Sequence, residues 1–435
     1  MDRFIIVAPI ILIMRTITIV FPSGGSRDFE VIETPVPHVL VDTKPKFHGW
    51  SYYNFQDAGK RECTHERWPL NPYAGCENAC FICYARKLGT YARTYDGCKV
   101  MTVYKDYPAL IAARLSKLHA ACCAYLCTAT DAFQAINTRY RHAEQLIKLF
   151  TSLNVPIEFI TKRGNLVSND VFRDIASQEH SFVQFTILSP ENRKIKDIAP
   201  VASFYEEQLD AIRRARANGV KHVVARFDPI IPYYTDDRTD IEFMFRDAAD
   251  AGATHVVTSC LDIPGSIKAG ILAKMKAIFL LSGGEKMYED FVSLYTNDQN
   301  VGRDLNATVA YRRSLFGDMN RLSKEVGVTF SMCMEFEVVH AKDGTIRYKG
   351  FNDEFATSKA CEGIDTPIYY RENLGDKFKP LSDRIPGCDG NCLASAKGKD
   401  WSCKGACNCE PFAKATPLEE KHYKQMWEMI NGSEP

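Results

Sequence analysis

The sequence predicts an α/β fold: a partial (β/α)6 barrel of the TIM type with a cysteine-rich C-terminal extension. Two observations carry this expectation. Between about residues 67 and 333, short runs rich in β-branched and aromatic residues alternate with longer segments of helical period, an alternation that builds a parallel sheet with helices outside it. The strand runs number six or seven rather than eight, so the barrel should stay open on one side. At 435 residues the chain exceeds one ordinary domain. Three regions are expected: an N-terminal extension over 1–50, the barrel over 51–350 and a cysteine-rich region over 351–435.

In chain order, the strand candidates are Pro69–Ala74, Ala124–Thr130, Ile157–Thr161, Phe182–Leu188, Lys221–Phe227 and His255–Cys260, with Val328–Cys333 as a seventh. Between them lie amphipathic stretches such as Tyr140–Leu153. Two helices carry start signals, Ser203-Phe-Tyr-Glu206 and Thr239-Asp-Ile-Glu242, each pairing a hydroxyl cap with a glutamate three residues on, and Gly219 and Gly252 close them. Beyond about residue 350 the pattern gives way to Gly, Asp, Lys and Cys, a tail that reads as held by its cysteines, until a helical stretch at Leu418–Ile430.

The apolar run Phe4–Met14 is too short to span a bilayer, lacks a small-residue cleavage pattern and ends at Arg15. It reads as a buried strand or as an extension upstream of a start at Met14. No membrane attachment and a cytoplasmic location are expected. With 46% hydrophobic and 25% charged residues the composition is that of a globular protein, and Lys+Arg 54 equals Asp+Glu 54. Zero net charge excludes a globally basic nucleic-acid coat and leaves only a local groove. The short basic clusters Arg139–His142, Lys162-Arg163 and Arg193–Lys196 read first as solvated faces.

The 16 cysteines are unevenly placed. Cys76, Cys80 and Cys83 lie within eight residues, in Asn71-Pro-Tyr-Ala-Gly-Cys76-Glu-Asn-Ala-Cys80-Phe-Ile-Cys83-Tyr-Ala-Arg86, directly after the first strand run. Three thiolates on one loop can hold three irons of a 4Fe-4S cubane and leave the fourth without a protein ligand, as an open position does in a catalytic centre. The competing reading is a zinc knuckle completed by His65 or a remote cysteine. A second group, Cys388, Cys392, Cys403, Cys407 and Cys409, is dense enough for an auxiliary iron-sulfur cluster or a structural zinc, with Cys333 and Cys361 as further candidate ligands. Cys122, Cys123 and Cys127 read as buried packing residues.

At the first cysteine loop the chain resembles the radical S-adenosylmethionine superfamily, whose loop is Cys-x3-Cys-x2-Cys; Asn-Pro-Tyr before it and Cys-Tyr-Ala-Arg after it narrow the resemblance to the spore photoproduct lyase-like group. The resemblance covers roughly residues 70–335. It implies a 4Fe-4S cluster whose free iron binds S-adenosylmethionine, a one-electron reductant such as flavodoxin or ferredoxin, and a 5′-deoxyadenosyl radical that abstracts hydrogen from the substrate. It further implies cofactor contacts at Tyr84, at Thr128, Thr130 and Asp131, at Lys162 in Thr161-Lys162, and at Thr186, with Pro229-Ile-Ile-Pro232 resembling the family's Pro-x-x-Pro turn. A lysine suits the third of these positions because an ammonium can pair with the cofactor's carboxylate. The sequence departs from the family in having Ile82 before the third cysteine, where an aromatic is usual.

Gly283-Gly284-Glu285 also spells a motif of the superfamily but follows a long helix, and reads as a helix end and turn. In spore photoproduct lyases a hydrogen-donating cysteine stands two residues before the hydroxyl of the Ser-Asp element. Here that position is Thr128, and Cys127, one residue off, should face away from the lumen by strand alternation. The implied function is therefore a thiol-free, isomerase- or lyase-type rearrangement of thymine or a modified pyrimidine, with DNA as the substrate. Two alternatives remain open: modification of a peptide or small metabolite assisted by an auxiliary cluster, and a non-catalytic metal-binding protein for nucleic acid.

Overall fold

The computed structural model describes residues 15–20, 25–42, 67–87 and 95–380, apart from 119, 301–303, 343, 359–360, 365 and 368. Phe4–Met14, His65, the cysteines from Cys388 to Cys409 and Leu418–Ile430 lie outside the described residues. Seven parallel strands form the central sheet: β1 Arg67–Leu70, β2 Cys123–Leu126, β3 Ile157–Thr161, β4 Phe182–Thr186, β5 Val223–Ile230, β6 His255–Cys260 and β7 Thr329–Met332. Their order is the chain order, from β1 at one edge to β7 at the other, each paired in parallel with the next. Among the described residues β1 and β7 do not pair, so the barrel is partial, and the seventh candidate strand is real.

The helices α1 Tyr107–Leu115, α2 His142–Ser152, α3 Asn169–Ala176, α4 Tyr205–Ala217, α5 Arg238–Ala251, α6 Lys268–Ser282, α7 Gly284–Leu294 and α8 Val309–Val326 fill the crossovers. Register explains which face each strand shows them. Val183 stands beside Phe159 and Val223, and Phe185 beside Thr161 and Ala225, on one face of the sheet. There Phe159 and Phe172 of α3 both meet the Phe185 ring, and Phe227 meets Phe245 of α5. Edge-to-face packing of such rings adds to their burial. The alternate residues, Glu158, Gln184 and Arg226, point the other way, into the lumen.

Four strand candidates are shorter than expected: Pro69–Ala74 lies in β1 only as far as Leu70, and Val328–Cys333 gives β7 over Thr329–Met332. β2 stops at Leu126 because Cys127 takes φ 62°, and β4 stops at Thr186. The helix caps also shift. Ser203 does not cap α4; its hydroxyl donates to Asn165 Oδ1 (2.7 Å), and Glu207 instead accepts from the Phe204 N–H (2.7 Å). Helix α5 is capped by Asp237, which accepts from the N–H groups of Thr239 and Asp240. Gly283 and Gly284 form the junction of α6 and α7, as read from the sequence.

The chain wraps the barrel at both ends. His38–Val41 runs parallel to Met101–Tyr104, which also pairs with Tyr73–Ala74. Tyr369–Tyr370 pairs with Ala120–Ala121, and Arg371 donates to the carbonyls of Leu115 (2.6 Å) and Leu118 (2.8 Å) at the C-terminal end of α1. Backbone pairing and an arginine thus hold the described part of the tail. Below the lumen, His255 meets Thr329 through Nδ1 (2.8 Å), and Ser331 (3.1 Å) and the Cys361 carbonyl (3.0 Å) through Nε2. Gly363 passes directly over its ring: with φ 76° and a Cβ position 2.5 Å from the imidazole, only glycine fits.

Burial first, and then the neighbouring His222, depress the His255 pKa to about 3. The unfolded chain therefore binds a proton below about pH 6.5 that the folded chain refuses, and stability falls as pH drops from there toward 3, by up to about 1.4 kcal/mol per unit. Thermal melts between pH 7.5 and 5 should show a steeper loss for the wild type than for His255→Gln; equal slopes would remove His255 from this role.

Candidate active site

The cysteine loop follows β1 and hangs over the C-terminal ends of the strands, where parallel barrels carry their chemistry. Gly75 enters it at φ 99°, with its Cβ position 2.8 Å from the Tyr95 ring, so a side chain there would be excluded. Short backbone bonds then coil it: Ala79 N–H to Cys76 O, Cys83 N–H to Cys80 O, and Arg86 N–H to Cys83 O, each 3.2 Å. Cys76 and Cys80 are buried and Cys83 half-buried, all three as free thiols. Burial pushes all three thiols up, Cys80 to about 11, with the neighbouring Lys162 charge opposing the shift at Cys80 and Cys83.

The loop is tied to the barrel through Asp131. Its carboxylate accepts from Asn78 Nδ2 (2.8 Å) in the cysteine loop, from Thr161 Oγ1 (2.7 Å) and the Lys162 N–H (2.8 Å) at the end of β3, and from the Phe133 N–H (3.0 Å). Those four bonds occupy both oxygens of a residue 3% exposed. Asp131 therefore positions the loop, and its expected part in the site is structural support. Glu77 makes a second tie, accepting from the N–H groups of Ala135 (2.9 Å) and Ile136 (3.2 Å) in the first turn of the short helix Ala135–Tyr140.

The other residues singled out from the sequence divide in the same way. Thr130 donates to the Gly75 carbonyl and accepts from Gln134 Nε2 (2.9 Å). Thr128 accepts from Asn71 Nδ2 (3.1 Å), whose Oδ1 in turn takes the Ala129 N–H (3.0 Å). The Tyr84 hydroxyl donates to the Thr128 carbonyl. Two residues are differently placed. Lys162 is the next lumen-facing position after Ile160. Burial works against its ammonium, yet the charges of Cys80, Asp228, Cys83 and Asp131 outweigh it and raise the pKa. Thr186 ends β4 on the lumen side, is 3% exposed, and its hydroxyl finds no hydrogen-bond partner among the described residues.

Sequence reasoning missed the lumen's own polar chain. Gln184 Nε2 donates to Glu158 Oε2 (2.7 Å), Arg226 Nη1 donates to Gln184 Oε1 (3.2 Å), Arg226 Nε donates to Asp228 (2.6 Å), and Ser259 donates to the other Asp228 oxygen. Burial alone would raise the Asp228 pKa; Arg226, Ser259 and Lys162 hold it below the usual carboxylate range. The available signal was a charged or amide residue inside each otherwise apolar strand run.

The donor set of the loop fits a polynuclear cluster. A cubane takes one thiolate at each of three irons, and Cys76, Cys80 and Cys83 lie on one loop close enough to feel one another's charge. The orphaned Thr186 hydroxyl and an orphaned Asn78 Oδ1 add polar groups nearby for a bound molecule. Cys361 lies with His255 at the opposite end of the strands, away from this loop. The basic clusters are largely engaged with protein: Arg139 donates to Thr34 O, Arg193 pairs with Asp197, Lys194 with Glu191 and Asp240, and Lys196 donates to Ala202 O.

Over 401 residues, 91% of this chain and 80% of its relative, the sequence is 23% identical to a radical SAM Nalpha-GlyT isomerase of Pseudomonas phage M6. It is 27% identical over 179 residues, 41% of this chain and 64% of the relative, to an uncharacterized protein of Methanocaldococcus jannaschii. Among solved structures, a spore photoproduct lyase complexed with dinucleoside spore photoproduct aligns at TM-score 0.48 and 13% identity, covering 67% of this chain and 82% of that one. SuiB of Streptococcus suis bound to S-adenosylmethionine aligns at 0.37 and 9%, covering 62% and 52%. No protein-family model matches the chain. This similarity runs along nearly the whole sequence and takes in the three-cysteine loop, the pattern of a radical S-adenosylmethionine enzyme.

Positioning and binding roles separate on stability. Asp131→Ala leaves four buried donors unanswered and should cost about 2–4 kcal/mol, whereas Thr186→Val removes a hydroxyl without a protein partner and should cost under about 1 kcal/mol. Denaturant titration of the metal-free protein decides it: comparable losses in the two variants would contradict the assignment.

Proposed function

We propose that this radical S-adenosylmethionine enzyme abstracts hydrogen from a substituted, thymine-type pyrimidine carried in DNA and returns it after an intramolecular rearrangement, so that the net reaction is an isomerisation. The observation that carries the reading is the placement of the Cys76–Cys83 loop, through Asp131, over a polar barrel lumen. The reaction class is supported by likeness over 91% of the chain to an isomerase.

In this reading Cys76, Cys80 and Cys83 each hold one iron of a 4Fe-4S cluster and leave the fourth for the amino and carboxylate groups of S-adenosylmethionine. When bound, that pair supplies one-electron cleavage of the cofactor and hence the abstracting radical, with a small reductant such as flavodoxin or ferredoxin as the electron source. Lys162, its charge maintained by surrounding acids and thiols, pairs with the cofactor's carboxylate. Thr186 offers it a buried hydroxyl that no described residue answers. Tyr84, Thr128, Thr130 and Asp131 hold the loop and the β2 turn that it docks against. Cys127, 2% exposed and bonded through its N–H to the Leu70 carbonyl, belongs to the packing. Hydrogen return then comes from the cofactor fragment, with no protein thiol involved.

Deuterium placed on the substituted base should appear in 5′-deoxyadenosine and then in the product. Stoichiometric consumption of cofactor without return would overturn the isomerisation, and failure of the reduced protein to form 5′-deoxyadenosine would overturn the radical reading. Cys80→Ala should abolish cofactor cleavage, while Cys127→Ala should keep most of it. Loss of cleavage in Cys127→Ala with an intact thermal melt would show that the thiol takes part.

A further inference from the structure

A bulky side chain in the left-handed region is a structural cost, and two large apolar residues stand in it at the open end of the barrel. Tyr233, three residues past the end of β5, has φ 61°, and Met334, two residues past the end of β7, has φ 57°. Each is 41% exposed. Around Tyr233 the turn is fixed from several directions. The N–H groups of Tyr234 (3.0 Å) and Thr235 (2.9 Å) donate to the Ile231 carbonyl, and the Ile231 N–H donates to Thr235 Oγ1 (2.8 Å). The Tyr234 hydroxyl donates to Asp197 (2.6 Å), and its ring lies 6.2 Å from that of Phe279 in α6. Ile231, Tyr234 and Thr235 are buried, so Tyr233 is the apex that this frame turns outward.

Glycine takes a left-handed φ freely, whereas an aromatic side chain there crowds the backbone carbonyl that follows it. A glycine at 233 would make the same turn at lower cost, and burial does not repay the difference, because much of the ring stands in solvent. Strain that a rigid surround holds and packing does not return points to function. The surroundings name the chemistry. Lys286 of α7 pairs with Asp290 (2.5 Å), whose hydrogen bond and then charge raise the lysine's pKa, and Tyr233 adds to the shift, so ring and ammonium are neighbours. The Lys286 side chain is 76% exposed. An exposed aromatic face beside a solvated ammonium suits a single nucleic-acid strand, the ring taking a base and the cation a phosphate. A single ring is too small an apolar patch to anchor a protein partner, but it matches one base. Met334 adds an unbranched, polarizable surface to the same end of the sheet, two strands along. Stacking tolerates any base, so such a contact holds the strand and leaves selection to the lumen.

We propose that Tyr233 is a binding platform on which a base of single-stranded or locally opened DNA stacks beside the lumen mouth. The proposal rests on the reading of DNA as the carrier of the substrate and adds where the strand is held. Fluorescence anisotropy tests it with the full-length protein, reconstituted with iron and sulfide and given S-adenosylmethionine, on two labelled probes: a short oligothymidylate and an abasic phosphodiester of the same length. The wild type should bind the oligothymidylate about tenfold more tightly, the scale of one stacked base. Tyr233→Phe should keep that preference. Tyr233→Gly should lose it, with unchanged affinity for the abasic probe and a thermal melt close to that of the wild type, because relief of the left-handed strain offsets the freedom that glycine adds to the unfolded chain. No base preference in the wild type, one that survives Tyr233→Gly, or a markedly lower melt in that variant would overturn the proposal. Deuterium transfer from a substituted base in DNA to 5′-deoxyadenosine reports separately on the substrate reading: its absence beside an intact base preference would sink that reading alone, and its persistence without a preference would sink only the role of Tyr233.

Discussion

The fixed point of the site is the Asp131 carboxylate. A loop that carries three thiols has few means of holding its own shape: its backbone bonds are local, and its cysteines are spent on whatever they coordinate. Asp131 supplies the missing reference by gripping Asn78 in the loop with one oxygen, which also takes the Lys162 N–H, while the other takes Thr161 and Phe133. One buried group thus sets the loop relative to the end of β3 and to the lysine beside it. Its four donors also explain how a carboxylate is accommodated at 3% exposure, since a buried charge is tolerated when its lone pairs are answered.

The sheet extends that order by sorting its two faces. Outward positions such as Phe185 and Phe227 meet aromatic residues of the helices, while inward positions carry Glu158, Gln184 and Arg226 in one bonded row. A row of this kind is costly unless complete. It closes at the mouth on Asp228 and Ser259, while the buried Thr186 hydroxyl has no partner among the described residues. Unfilled capacity at the open end of an otherwise satisfied polar interior is what a ligand can complete.

Much of this was legible beforehand. Ile157–Thr161 and His255–Cys260 match their strands residue for residue because both are short runs rich in β-branched residues and bounded by Pro or Gly. Ala124–Thr130 was read too long because Cys-Thr-Ala-Thr has strand composition, and only the positive φ at Cys127 shows the turn. Ser203 was read as a cap from its local spacing, whereas Asn165, 38 residues away, takes its hydroxyl. The lumenal row escaped notice for the same reason: its bonds run between strands 26 and 42 residues apart, and no local pattern encodes them. The cysteine loop was visible because its chemistry is local, and the residues that orient it were visible as types but not as roles.

The charge balance takes on a specific meaning from these contacts. Zero net charge gives no long-range pull on a polyanion, and the basic clusters that could have made a local one are largely turned to other tasks: Lys194 and Arg193 pair with acids, Lys196 and Arg139 with carbonyls, and Lys162 with the site itself. Phosphate contacts position a protein on nucleic acid but do not discriminate between bases. Any hold on a polyanion must therefore be short-ranged and local to the open end of the barrel, where Lys162 keeps its charge. Such a hold weakens less with salt than binding through a row of phosphates, because few counterions are released.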